Sequence, residues 1–225
     1  MNHPLDRPIW SALTTRHAGL ARGTPAALRY DSDISPFAAP ADQGADSLAA
    51  LDRLVQPGEV VVLVQRDPIL LPPGLVAVGA ARAVQMIATG TTPAPDDERL
   101  HRLGADDEAD MYELATLTRP GPFARRSMHL GEFWGVRHQG RLVAMAGERL
   151  RQGEWAELSA VCVHPDSRGQ GLGRLLSSHM TSRIQAKGER PYLHAFETNL
   201  GAIGLYNSLG FEQRATLNVT LASRA

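Results

Sequence analysis

The chain has 225 residues, 43% of them hydrophobic and 21% charged, so it is long enough to enclose a core and too apolar to be a disordered segment. Lys and Arg number 23 against 24 Asp and Glu, a formal net charge of −1, so no global field draws the protein to nucleic acid or to a membrane surface, and any anion site has to be local. A single cysteine, Cys162, rules out a disulfide within the chain and argues against a thiolate metal cluster.

The opening stretch MNHPLDRPIW lacks the basic-then-apolar pattern of a signal peptide, and no run of about 18 apolar residues follows, so a cytoplasmic protein with no membrane partner is expected. Residues 1–45 are rich in Pro, Ala and Asp and show few clear periods. DSLAALDRLV reads as a short helix with Leu48, Leu51, Leu54 and Val55 on one stripe and Asp46 as its cap. EVVVLVQ reads as a buried strand, and LVAVGAARAVQMIA as a second. The Pro- and charge-rich segment from Thr91 to Gly104 is the best candidate boundary, which divides the chain into residues 1–100 and 105–225.

The second half is patterned more clearly. From Asp106 to Thr118 acids fill the first turn and Met111, Leu114, Ala115 and Thr118 form an apolar stripe, which predicts a helix stopped by Arg119-Pro120-Gly121-Pro122. EFWGVRH, RLVAMAGERL and EWAELSAVCVH, separated by two Gln-Gly turns, predict an antiparallel meander. A helix from Arg174 to Lys187 closes at Gly188; PYLHAFE, GAIGLYNSL and the segment from Phe211 to Leu221 then read as strand, helix and strand, with Asn199 capping the helix. The order implies a mixed α/β fold rather than a doubly wound one.

Between the meander and the helix lies HPDSRGQGLGRLL. Three glycines in five residues flanked by arginines suit a phosphate: glycine lets the anion approach the backbone, the N-terminus of the helix offers free N–H groups, and Arg168 and Arg174 can add charge-assisted bonds. A turn that merely joins strand to helix is the alternative. There is no GxxxxGK[ST] loop, and a GxGxxG fingerprint fails because Arg174 stands at its third glycine. Arg168-Gly169-Gln170-Gly171-Leu172-Gly173 instead resembles the R/Q-x-x-G-x-G/A pyrophosphate loop of the GCN5-related N-acetyltransferases, and NLGAIGLYNSLGF is similar to that superfamily's second signature. The similarity covers roughly Ala105 to Ala225 and is nearest to the glycine N-acyltransferase-like branch.

That resemblance implies a fold with a central, mostly antiparallel mixed sheet flanked by helices, the first hundred residues being a degenerate partial copy or a cap. It implies an acetyl-CoA-dependent transfer to an amine acceptor by direct attack, without a metal. Tyr206, at the tyrosine of the second signature, would protonate the leaving thiolate. Glu157, on the strand before the loop, would be the general base if its apolar neighbours raised its pKa; a surface glutamate is the alternative. Val161, Cys162 and Val163 would offer backbone groups to the pantetheine arm and the thioester oxygen, and Asn199 would touch the coenzyme or only cap its helix. Alternation places Glu157, Ser159, Val161 and Val163 on one face and turns Cys162, a core residue, away from them. His164, His179 and His194 show no metal-ligand spacing, and Phe133 and Trp134 either line an acceptor pocket or belong to the core. A non-catalytic acyl-CoA-binding module and a transferase of longer acyl groups are the competing functions.

Overall fold

A computed structural model describes residues 3–225. In chain order the elements are α1 (Pro8–Leu13), β1 (Arg22–Thr24), β2 (Ala27–Arg29), β3 (Ala38–Pro40), α2 (Ala45–Leu54), β4 (Val60–Gln65), β5 (Leu75–Ala88), β6 (Leu100–Leu103), α3 (Glu108–Thr118), β7 (Phe133–His138), β8 (Arg141–Gln152), β9 (Trp155–Val163), α4 (Leu172–Ala186), β10 (Arg190–Phe196), α5 (Leu200–Asn207) and β11 (Phe211–Arg224). β1–β3 form a small sheet; the other strands form one eight-stranded sheet in the order β4-β11-β5-β10-β9-β8-β7-β6.

The meander forms where the turns predict it. Gln139 and Gly140 both take positive φ (50° and 81°), the conformation a tight hairpin needs between β7 and β8. α3 ends at Arg119, itself left-handed (φ 49°), just before the prolines. α4 starts at Leu172, two residues earlier than the pattern suggests, and Gly188 (φ 74°) follows its last turn. Asp46 does not cap α2: Gly44 holds that position, its N–H donating to Asp42 Oδ1 at 2.8 Å, and Asp46 lies in the first turn.

Two layers of side chains enclose the sheet. Leu172, Leu176 and Met180 of α4 pack on one face against Ala144, Ala146, Leu158 and Leu193. The other face carries Met111, Leu114 and Ala115 of α3 with Met145 and Cys162, and beside them Leu5, Ile9 and Leu13 with Tyr30, Phe37, Trp155 and Tyr192. A fully buried leucine such as Leu176 contributes about 1.5–3 kcal/mol through its removal from water. The first hundred residues are woven into the same sheet: β5 lies between β10 and β11, and β11 pairs with β4 on its other side.

Candidate active site

β9 and β10 are parallel neighbours, and their pairing runs only from Trp155–Arg190 to Glu157–Tyr192. Beyond that point they separate, and a cleft of about 400 Å³ opens. Leu158–Val161 of β9, Ala195 and Phe196 of β10, and Asn199, Ala202 and Tyr206 around α5 line one side. Phe37 just before β3, Val62 and Val64 of β4, and Val219 and Leu221 of β11 line the other, and the loop Arg119–Pro122 borders it. Half of this cleft is therefore built by residues that no motif singles out.

β9 carries a bulge at Ala160, whose φ is +53°, and its register against β8 shifts between Gly147–Ser159 and Met145–Cys162. The bulge reverses alternation. Leu158, Val161 and Val163 all pack on the α4 side, whereas Cys162 joins the α3 side, the face that Glu157 also takes. The expected grouping of Glu157 with Val161 and Val163 on one face is thus corrected, as is the expectation that Cys162 points away from Glu157. Val161 reaches the cleft wall; Cys162 and Val163 do not. Cys162 is a core residue, with its thiol pushed up to about 12 by burial.

The glycine run sits at the start of α4. Gly169 and Gly171 are left-handed (φ 77° and 74°), and an ideal Cβ on either meets nothing within 4 Å, so the backbone faces open space. Gly173 is different: a Cβ there would make ordinary contacts with Val163 and Leu205. The first intrahelical bond of α4 runs from Leu175 N–H to Gly171 O at 2.9 Å, which leaves the N–H groups of Leu172, Gly173 and Arg174 pointing out of the helix end. Gln170 and Arg168 are exposed; Arg174 instead donates to Ser208 Oγ at 2.6 Å, tying α4 to the end of α5.

Glu157 is fully buried beneath the cleft rather than lining it. Its carboxylate accepts from Arg149 Nε at 3.0 Å and Nη2 at 2.6 Å, and from His194 Nδ1 at 2.7 Å. Burial alone would raise its pKa, but the Arg149 guanidinium and His194 outweigh burial and hold the carboxyl down at about 2. The expected rise is therefore reversed, because the neighbours are a cation and a hydrogen-bond donor rather than apolar groups alone. The network continues outward. Gln85 Oε1 accepts from Arg214 Nε at 2.5 Å, which turns its amide nitrogen toward Leu5 O at 2.9 Å and His194 Nε2 at 2.8 Å. This pattern assigns the imidazole proton to Nδ1, with Nε2 accepting. Arg214 ends the chain of contacts on Asp6 at 2.5 Å.

Tyr206 lines the cleft, and burial pushes its phenol up to about 12. Asn199 caps α5 by accepting from Ala202 N–H at 3.1 Å and also lines the cleft. Phe133 and Trp134 are packing residues. Phe133 stacks edge-on with Phe123, and Trp134 meets His179 across the sheet from Cys162. His164 accepts from Asp166 N–H at 3.3 Å beside the loop. Arg149 and His194 are the groups that reach the cleft from the buried network; the strand position of His194 was a sequence signal for it, whereas Arg149, one of three arginines in β8, had none.

A family model for FR47-like proteins matches residues 133–219, from β7 into β11. A solved structure from Novosphingobium aromaticivorans DSM 12444, named as an acetyltransferase of the GNAT family, is 40% identical, covers 100% of both chains and has a TM-score of 0.94. The chain belongs to the GCN5-related N-acetyltransferase (GNAT) superfamily. A GCN5-related N-acetyltransferase from Kribbella flavida, 19% identical over 97% of this chain and 96% of its own, shares the GNAT fold at a TM-score of 0.62. Among curated GNAT proteins, the ribosomal protein bS18-alanine N-acetyltransferase of Escherichia coli K12 is 36% identical over 75 residues, 33% of this chain and 50% of that protein. The chain thus spans about half the length of the curated relatives it matches.

Proposed function

We propose that this GNAT protein is an N-acetyltransferase that uses acetyl-CoA and a primary amine in a ternary complex. One observation carries the reading: two left-handed glycines expose the N-terminal N–H groups of α4 to open space, next to α5, whose Tyr206 lines the cleft where β9 and β10 part. These features fit a pyrophosphate, since a helix N-terminus is a local anion site on a chain with no net positive charge. Bound acetyl-CoA supplies the thioester acetyl group that an amine attacks.

The chain's own residues have separable tasks. The backbone of Gly169–Arg174 holds the phosphates, with Arg168 free to add charge. Val161 and the cap residue Asn199, both on the cleft wall, position the arm, and the backbone of Cys162 and Val163 continues the β9 edge from the cleft toward the α4 loop. Tyr206 keeps its proton through the neutral range and offers it at the cleft wall. His194 borders the cleft with its ring held on both sides, Nδ1 donating to Glu157 and Nε2 accepting from Gln85, so Glu157 acts as a positioning residue that fixes the imidazole and the Arg149 fork beneath the cleft. Mixing protein, acetyl-CoA and a panel of amines and following thiol release tests this. Release that depends on amine and falls in Tyr206→Phe supports it; coenzyme binding without release from any amine points to an acyl-CoA-binding module, and faster release from a longer thioester points to another acyl donor.

A further inference from the structure

We propose that Arg149 anchors the acceptor, and that the acceptor is a small amine carrying a carboxylate beside an apolar body, of which apolar α-amino acids are the simplest members. The inference rests on the transferase reading and names its substrate class. The guanidinium of Arg149 is divided between two tasks. Its Nε and Nη2 are held by buried Glu157, and its face lies over the Phe37 ring at 5.0 Å. Nη1 has no hydrogen-bond partner among the described residues and looks toward Gly121, where an ideal Cβ would stand 3.8 Å away. A planar fork locked on one edge presents the other with little rotamer freedom, in a setting where a charge-assisted bond is strong.

The rest of the cleft has a matching sign. Among the described residues its lining contains no Asp, Glu or Lys; the ionisable side chains are Arg119, Arg149, His194 and Tyr206. With Glu157 neutralising one charge from below, Arg119 and Arg149 leave an excess of one positive charge, which an acceptor carboxylate neutralises. A second ammonium, as in a diamine or a basic peptide, finds no carboxylate to meet. Phe37, Val62, Val219 and Leu221 supply the apolar wall.

The experiment uses the wild-type chain first. CoA is titrated by calorimetry; then, on the CoA-saturated protein, N-acetyl-L-leucine, N-acetyl-L-leucinamide and N-acetylputrescine are titrated as product probes. The carboxylate is expected to bind at least about tenfold more tightly than the amide, with the putrescine derivative weakest, and leucine, leucinamide and putrescine should differ in KM rather than kcat. Arg149→Lys, where it folds, should reduce the carboxylate-to-amide ratio to within about twofold with CoA affinity unchanged. Equal binding of the three probes, tighter binding of the diamine derivative, or a ratio that survives Arg149→Lys overturns the proposal and leaves the coenzyme reading intact. Absence of CoA binding overturns both.

Discussion

Glu157 illustrates what a single residue's surroundings decide. Read along β9 it is an acid among apolar neighbours; in the fold it is clamped by Arg149 of β8 and His194 of β10. Neither partner is local, and the bulge at Ala160 that changes the face of the residues after it leaves no trace in an alanine's chemistry, so alternation alone misplaced Val161 and Cys162. The helix that carries Tyr206 was legible because Asn199 caps it and the left-handed Gly210 follows its end. The depressed pKa of Glu157 has a pH consequence. Its folded value, about 2, lies below the unfolded value of 4.5, so its contribution to stability is fully present above about pH 4.5 and is lost as pH falls toward 2. Thermal melts of the wild type should show that acid-side loss, and it should be smaller in the double variant Arg149→Met/Glu157→Met. Glu157→Met alone leaves a buried guanidinium unpaired and should cost about 3–5 kcal/mol in denaturant unfolding, more than the double variant. An additive pair would show that the two groups are not coupled. For Tyr206→Phe, kcat should fall by about 100-fold or more while the acetyl-CoA Kd measured by calorimetry stays within about twofold, because a proton donor acts in the transition state. An unchanged kcat removes Tyr206 from the chemistry.

At the level of elements, the meander and both C-terminal helices were readable because turn residues and apolar periods agree there. Gln139-Gly140 and Gly188 adopt the backbone conformations their sequence calls for. The first 45 residues were not readable: β1, β2 and β3 have three residues each, too few to display a period of two; β2 and β3 are held by packing against α1 and α2, and the exposed β1 by pairing with β2. Around the start of α4 the three glycines are not equivalent. Gly171→Glu adds about 1–2 kcal/mol of left-handed strain and places a carboxylate at the helix end, so acetyl-CoA binding should disappear. Gly188→Ala, at the opposite end of α4 with nearly the same φ, is the strain control: it should lose similar stability and keep its coenzyme affinity. Gly173→Ala should retain a folded loop, since its Cβ meets only ordinary contacts. If Gly188→Ala weakens binding as much as Gly171→Glu does, the loop's role is structural.

For the whole molecule, the consequence of the strand order is that the first hundred residues complete the sheet. β5 and β4 flank β11, and β5 also covers β10, so a fragment of residues 105–225 would expose the edges of both strands. Expressed alone, that fragment should aggregate or lack a cooperative melt; a soluble fragment with a sharp transition would mean that the second half folds independently. The interleaving also explains why the cleft combines a motif-bearing wall with an apolar wall from Phe37, Val62 and Val64 that no motif announces. The central claim is that the α4 loop is a coenzyme A pyrophosphate site serving this cleft. The most direct measurement is a calorimetric titration of acetyl-CoA into the wild type and Gly171→Glu, with NAD as the competing dinucleotide. Saturable binding of acetyl-CoA to the wild type, its loss in Gly171→Glu, and a stability gain of about 2.7 kcal/mol at 100 times the Kd are predicted. Binding of NAD in preference to acetyl-CoA, or equal acetyl-CoA affinity in the two proteins, would contradict the account.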